Sequence, residues 1–214
     1  MKVLDLDQGT KEWDDIRAKR HTASEAPAMM RASKYMNRDD LLKQKATGEK
    51  PEVSGAKQAI FNRGHDTEDK ARPIAEAIIG EELYPCTCED DDGWLLASMD
   101  GITMLNEIGF EHKLINNDLR QATVDTLDDH YKYQMDQQLL VTGAEKILFM
   151  ASDGTEDDCN WFWYERDEGR LLEIIEGWKL FDKDLAQYEE KAPKAELVGR
   201  APGGLPSLHV EVTG

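Results

Sequence analysis

Three polar side chains on two short apolar segments of this 214-residue chain have the chemistry of a metal-dependent site. Asp100 ends the first segment, and Glu111 and Lys113 lie on the second. Because side chains alternate along a strand, Glu111 and Lys113 share one face while His112 points to the other. If the two segments pair as a hairpin, Asp100 reaches the same face. Two carboxylates and an ammonium at the edge of an apolar sheet suit a hard divalent cation and an activated water.

The charge of the chain is unevenly distributed. Its formal net charge is −18, yet residues 1–50 carry +2 and the remainder −20. The basic side chains of the first segment include a closely spaced set: Lys11, Arg17, Lys19, Arg20, Arg31, Lys34 and Arg38. They indicate either a solvated helix surface or a local anion site on a surface that repels nucleic acid. In the second case the repelling surface would suppress loose, non-specific DNA binding, which depends on phosphate neutralisation; composition alone does not decide between the two.

Length and composition predict one globular domain over residues 1–192, followed by an extended tail, rich in Pro and Gly, over residues 193–214. No run approaches the roughly 20 apolar residues that span a bilayer, and we expect no signal peptide. The three cysteines, Cys86, Cys88 and Cys159, lack zinc-site spacing. We therefore expect reduced thiols in a cytoplasmic protein.

Hydrophobic periodicity predicts the elements that must position the polar trio. Helices are predicted at 13–19, from 22, and at 38–45, 54–79, 118–127, 130–141 and 168–190. Pro73 predicts a kink or a break within the fourth of these. Strands are predicted at 83–88, 94–98, 108–111, 146–151 and 160–164. This order predicts an α/β domain with a mixed central β-sheet flanked by helices.

The trio belongs to the third of four sequence blocks that follow one another in a definite order. They are Gln8–Trp13 leading through Arg17 to Thr22-Ala23-Ser24; Arg63-Gly64 with Glu68 and Ala71-Arg72; Ser98–Gly101 with Glu111 and Lys113; and Tyr133–Leu139 followed by Val141–Gly143. Over roughly residues 8–152 the chain thereby resembles the lambda-type phage alkaline exonucleases. These form the YqaJ-like viral recombinase family within the PD-(D/E)XK nuclease superfamily. The resemblance implies a restriction-endonuclease-like core.

The resemblance also implies a role for each matched residue near the metal. Asp100 and Glu111 would ligate one or two Mg2+ ions, with Mn2+ as a substitute, and the backbone carbonyl of His112 would complete part of the shell. Lys113 would lie beside the attacking water, and Glu68 would face the metal through a bound water. The structural alternatives are an exposed Glu111–Lys113 ion pair, worth little energetically, and a helix-surface pair of Glu68 with Arg72.

A second set of matched residues is implied to bind DNA. Arg17 and Ser24 would form a pocket for the terminal 5′-phosphate, since a guanidinium recognises phosphate bidentately; the alternative is a surface arginine and a simple helix cap. Gln134 and Asp136 are expected to contribute from the fourth block. The family has glutamine where Asp136 stands, so this acid either brings charge near the metals or is displaced, leaving Gln134 or Gln138 in the polar role. The family has an aliphatic residue in place of His112, which favours a half-buried structural histidine.

The function implied is Mg2+-dependent 5′-to-3′ digestion of one strand of linear double-stranded DNA to mononucleotides. The remaining 3′ single strand would serve phage-type recombination by strand annealing. The implied partners are double-stranded DNA ends, further copies in a ring-shaped trimer, and a single-strand annealing protein, with no membrane. The resemblance also implies that the protein is encoded by a phage or prophage and acts in the cytoplasm of the bacterial host. Two alternatives stay open: a structure-specific endonuclease on the same core, and a non-catalytic DNA-binding subunit.

Overall fold

Eight strands form two four-stranded sheets in the part of the chain that the computed structural model describes, residues 1–49 and 55–191. The strands are β1 (Lys2–Leu4), β2 (His21–Thr22), β3 (Cys86–Glu89), β4 (Leu95–Met99), β5 (Gly101–Ile102), β6 (Ile108–Leu114), β7 (Lys146–Ser152) and β8 (Cys159–Glu165). The sheet orders are β1-β3-β4-β2 and β5-β6-β7-β8. Each sheet has one parallel pair, β2 with β4 and β6 with β7, so both are mixed.

Six α-helices and two short 3₁₀ turns accompany the strands in the described ranges. They are α1 (Lys11–Arg17), α2 (Ala26–Met29), α3 (Arg38–Thr47), α4 (Gly55–Ile79), α5 (Asp129–Thr142) and α6 (Glu168–Lys191), with 3₁₀ turns at Ala23–Glu25 and Leu119–Gln121. Asn37 and Asp128 cap α3 and α5 by accepting backbone N–H groups at 2.8 Å. Gly48 and Gly143 end the same helices with φ of 74°, the left-handed conformation that glycine adopts readily.

The second sheet is covered by a helix on each face. Leu148 and Met150 of β7 lie in one core cluster with residues of α4. Ile147, Phe149 and Ala151 lie in another with residues of α5. This alternation is the period of two that a strand buried on both faces requires. A polar side chain on β6 must therefore face either α4 or α5.

The first sheet packs against the C-terminal helix. Trp178 and Phe181 of α6 are fully buried with Met29 of α2, Leu41 of α3 and Met99 of β4 in one core cluster. Burial of such side chains is the dominant favourable contribution to folding. In the described ranges, no helix combines the length and apolar character needed to cross a membrane.

The α/β class, the mixed pairing and the flanking helices are confirmed, but three details differ from the sequence predictions. The strands form two sheets rather than one central sheet. The helix predicted at 118–127 is only the turn Leu119–Gln121, because Thr123 and Thr126 hydrogen-bond to each other and to each other's backbone N–H instead. Helix α4 runs unbroken through Pro73, which lies on its exposed side. The predicted tail, 193–214, falls outside the described residues.

Candidate active site

Strand β6 and the junction between β4 and β5 bring the polar trio together. Gly101 pairs with Phe110, so Asp100 lies beside the row that carries Glu111. The backbone N–H of His112 donates to Asp100 Oδ2 at 2.7 Å. Gly101 is needed at this junction, because a Cβ there would lie 2.9 Å from Leu83 Cβ. The predicted hairpin pairing is thus present.

Glu111 is the centre of the site. Its side chain is 2% exposed, and it accepts a salt bridge from the Lys113 ammonium. Gln134 and Gln138 of α5 donate to its two carboxylate oxygens at 2.7 and 2.5 Å. Gln138 also donates to the carbonyl of Ser98 at 3.2 Å. Because a buried carboxylate is costly unless it is paired and hydrogen-bonded, α5 and Lys113 together hold this charge in place.

Helix α4 supplies a third carboxylate and a bridging guanidinium. Arg72 Nη2 donates to Glu68 Oε1 at 3.0 Å, and Arg72 Nε donates to the carbonyl of Asp100 at 3.0 Å. Burial raises the pKa of Glu68; Arg72 opposes this shift and the negative charge of Glu111 adds to it. Glu68 therefore combines the two arrangements considered for it: it pairs with Arg72 on α4, and it lies close enough to Glu111 to be affected by its charge.

The electrostatics of the trio are those of crowded carboxylates. Burial raises the pKa of Asp100 well above its ordinary value, and the charges of Glu111 and Glu68 raise it further. Burial acts against the Lys113 ammonium, but Glu111 and Asp100 outweigh it, so the pKa of Lys113 lies above its ordinary value. Lys113 is consequently a positively charged ammonium held beside the carboxylates of Glu111 and Asp100.

These residues have the chemistry of a hard-cation site. Among the described residues, no group of three or more His, Cys, Asp or Glu is already arranged to hold a metal ion. Instead, the carboxylates of Asp100, Glu111 and Glu68 accept hydrogen bonds from protein donors. The donor set nonetheless fits Mg2+, which takes oxygen ligands, and added positive charge would relieve the repulsion that raises the pKa of Asp100. Asp100 and Glu111 are the residues that would hold it.

Arg17 and Ser24, which we call the end pocket, lie together next to this cluster. Arg17 Nη2 donates to Ser24 Oγ at 2.9 Å, and the guanidinium stacks over Trp13 at 4.2 Å from the ring centroid. Trp13 Nε1 donates in turn to Ser98 Oγ at 3.3 Å, two residues before Asp100. Burial lowers the pKa of Arg17, and nearby carboxylates oppose this shift. The end pocket is therefore connected, through the Trp13 indole and then Ser98, to the strand that precedes Asp100.

Asp136 is not part of either group. It is fully buried, and it accepts hydrogen bonds from Tyr164 Oη at 2.7 Å and from Arg170 Nε at 2.8 Å. Gln134 and Gln138 are four residues apart and share the helix face toward Glu111, whereas a position midway between them faces away. The prediction that Asp136 contacts DNA is thus not supported, and the alternative of a displaced acid with Gln134 and Gln138 in the polar role describes the structure.

His112 is a buried structural residue, as its position on β6 predicted. Its Nε2 lies 2.9 Å from Ser152 Oγ, and burial lowers the pKa of His112 to about 4, so the ring is neutral at pH 7. The backbone N–H of His112, and not its carbonyl, is the group shown in contact with Asp100. The predicted ligand role of that carbonyl stays a prediction.

Two site residues have no assigned role in the sequence prediction. Arg72 was expected only as a surface partner of Glu68, but it also joins α4 to the Asp100 carbonyl, a contact that the i,i+4 spacing does not indicate. Ser98 joins Trp13 to Gln138 through its hydroxyl and its carbonyl. Strand alternation, which puts Ser98 on the face of Asp100, was the available signal.

Comparisons with known proteins identify the family of this chain and similar folds. Residues 12–145 match the model of the YqaJ-like viral recombinase domain. The structure of LHK-Exo in complex with dAMP is 25% identical, with a TM-score of 0.70, and the match covers 85% of this chain and 95% of that chain. A structure of the alkaline exonuclease LHK-Exo from Laribacter hongkongensis is 24% identical, with the same TM-score and coverage.

A more distant structure shares the fold alone. The phage related exonuclease from Haemophilus somnus 129PT is 12% identical, with a TM-score of 0.62, and the match covers 80% of this chain and 96% of that chain. Among curated proteins, none matches this chain. Because the family model spans more than half of its length, the chain belongs to the YqaJ-like viral recombinase domain family.

Proposed function

We propose that this protein is a Mg2+-dependent exonuclease that digests one strand of linear duplex DNA from its 5′ end. The products would be mononucleotides and a 3′-ended single strand, which a single-strand annealing protein would receive. The observation that carries this proposal is the link from the trio of Asp100, Glu111 and Lys113 to the end pocket through Trp13 and Ser98. A cutting centre beside a phosphate pocket is what an enzyme that starts at DNA ends requires.

The residues of the trio have distinct tasks in this proposal. Asp100 and Glu111 present carboxylate oxygens, and α5 fixes the orientation of Glu111 through Gln134 and Gln138. The Lys113 ammonium is held in place to stabilise negative charge that develops on the scissile phosphate. When bound, Mg2+ would supply an activated water and further charge stabilisation.

The end pocket positions the substrate. The Arg17 guanidinium presents a fork of N–H donors to the phosphate, while its stacking on Trp13 limits its rotation. Its partial burial strengthens an ion pair with phosphate relative to one in bulk water. A solved relative, LHK-Exo, was obtained with dAMP, a deoxynucleoside monophosphate, which supports a nucleotide-sized site in this fold.

The net charge of −18 is compatible with a DNA enzyme if the substrate is enclosed. We propose a ring-shaped homotrimer, because an encircled duplex cannot diffuse away even from a surface that repels it. Local positive charge at Arg17 and Lys113 then suffices for contact with the backbone. Processive digestion would not depend on bulk electrostatic attraction.

The test of this proposal is digestion of two forms of one plasmid in Mg2+. We expect linear duplex to be converted to single strands and mononucleotides, while the covalently closed circle stays intact. Cutting of the circle would replace the proposed activity by an endonuclease on the same core. Loss of neither form, with added Mg2+ or Mn2+, would favour a non-catalytic DNA-binding subunit.

A further inference from the structure

A closed ring of hydrogen bonds runs from the end pocket to a buried lysine and back. Arg17 Nη2 donates to Ser24 Oγ at 2.9 Å, and Ser24 Oγ lies 3.2 Å from Thr22 Oγ1. Thr22 Oγ1 donates to Glu25 Oε2 at 2.8 Å, and Lys45 Nζ pairs with the same oxygen at 2.7 Å. Lys45 Nζ closes the ring by donating to the carbonyl of Arg17 at 3.0 Å.

Lys45 is an unusual residue for this place on α3. It is 6% exposed, although lysine is among the residue types least often buried without a partner. Besides Glu25 and the carbonyl of Arg17, it binds the carbonyl of Arg20 at 2.7 Å. These two carbonyls lie at and just beyond the last turn of α1, where backbone acceptors lack helical partners and a cation is favourable. Lys45 thereby fixes the end of the helix from which the Arg17 side chain projects.

Glu25 determines the direction of the hydroxyl groups in the ring. A carboxylate only accepts hydrogen bonds, so the single proton of Thr22 Oγ1 is donated to Glu25. In the contact between Ser24 and Thr22, the donor must then be Ser24. Ser24 consequently turns a lone pair toward the guanidinium of Arg17. One carboxylate thus sets the hydroxyl orientation that holds Arg17 in the pocket.

We propose that Lys45 and Glu25 are positioning residues for recognition of a 5′-terminal phosphate. They hold both halves of the end pocket, the guanidinium on α1 and the hydroxyl on the following turn, without contacting DNA. The inference rests on the proposed function, in which the end pocket receives that phosphate. Through Lys45, helix α3 thus contributes to the proposed specificity for DNA ends.

The test compares one linear duplex carrying either 5′-phosphate or 5′-hydroxyl ends. The quantity measured is the ratio of kcat/KM for the two substrates in Mg2+, which does not depend on the fraction of active enzyme. We expect Lys45→Met to lower this ratio by about 10- to 100-fold, since misplacement of a binding group by about 1 Å has effects of that order. The rate on 5′-hydroxyl ends should change much less. Lys43→Met, at an exposed position of the same helix, should retain the wild-type ratio.

A second variant protects the test against misfolding of Lys45→Met. Glu25→Gln keeps the size of the side chain but removes the negative charge that pairs with the buried Lys45 ammonium, so its ratio should fall as well. A wild-type ratio retained in both variants would overturn the inference and leave the proposed function intact. An equal loss on both substrates would show a merely structural role and would also overturn it. A wild-type enzyme without phosphate preference would instead refute the end pocket itself, and the inference with it.

Discussion

The individual side chains of α5 show how one helix contacts the candidate active site on one side and the protein core on the other. Gln134 and Gln138 bind the two oxygens of Glu111. Asp136 lies on the other side of the helix, where Tyr164 and Arg170 satisfy it. Burial raises the pKa of Asp136, with Tyr164 and Arg170 acting in the opposite direction, so this carboxylate depends on both partners.

Substitution of Asp136 should therefore affect stability, whereas substitution of Gln138 should affect the nuclease rate. Asp136→Asn should lower the free energy of unfolding by about 1–3 kcal/mol, because it removes the buried negative charge that pairs with the Arg170 guanidinium. Its nuclease rate per folded molecule should stay at the wild-type level. Gln138→Leu should lower the rate by roughly 10- to 100-fold, because Glu111 loses an orienting donor. Urea unfolding and initial rates on linear duplex measure both effects, and a loss of rate in Asp136→Asn would restore its predicted role at the DNA.

At the scale of elements, the Arg72 side chain connects α4 to the β4–β5 junction. Arg72 binds the Asp100 carbonyl and Glu68, and it also pairs with Asp69, which is 74% exposed. The same guanidinium thus has a partner inside the site and a partner in solvent. This arrangement offers a matched comparison between the two carboxylates.

Removal of the inner contacts should affect catalysis, and removal of the outer contact should not. Arg72→Ala should lower kcat/KM on linear duplex by about 10- to 100-fold, since Glu68 and Asp100 lose their common anchor. Asp69→Asn removes only an exposed ion pair, which contributes about 0–1 kcal/mol to stability. The measurement is initial rates at saturating Mg2+, with thermal unfolding as the check on folding. Equal rates for the two variants would contradict the anchoring role.

The elements also show what the sequence can and cannot predict. The sequence predicts helices α5 and α6 within two residues at each end, because Thr142-Gly143 marks the end of α5 and apolar residues recur at helical spacing along α6. Strands β1 and β5 have three and two residues, too few for an alternating pattern, so their places in two separate sheets could not be inferred. In the site, alternation alone places Glu111 and Lys113 on one face. The partners of Asp136, Tyr164 and Arg170, lie 28 and 34 residues away along the chain, so no local sequence pattern indicates them.

For the whole molecule, the buried His21 and His112 and the half-buried His130 predict that stability depends on pH. Burial lowers the pKa of His21, His112 and His130, and for His112 the value is about 4. The unfolded chain, with an ordinary histidine pKa of about 6.5, binds more protons below that pH than the folded protein does. The free energy of unfolding should therefore fall as pH drops below about 6.5.

His21 allows this dependence to be measured at one residue. It stacks on Trp178 with ring centroids 4.1 Å apart, so His21→Phe keeps an aromatic ring in the same place. Between pH 7.5 and 5.5, the wild-type protein should lose more stability than this variant, because burial lowers the pKa of His21 in the folded state only. Chemical denaturation at the two pH values is the measurement. His65→Gln, at an exposed position of α4, should retain the wild-type pH dependence; a His21→Phe curve parallel to that of the wild type would refute the assignment.

The most direct test of the whole account follows a duplex labelled at one 5′-phosphate end. In Mg2+ the label should leave as a mononucleotide at the earliest times, because digestion begins at the end held by Arg17 and Ser24. Asp100→Asn, which keeps an acceptor for the His112 N–H but removes the charge, should release no label above the level seen with a chelator. Early release of the label in longer oligonucleotides, or an undiminished rate in Asp100→Asn, would contradict the central claim that this cluster is a nuclease centre that starts at DNA ends.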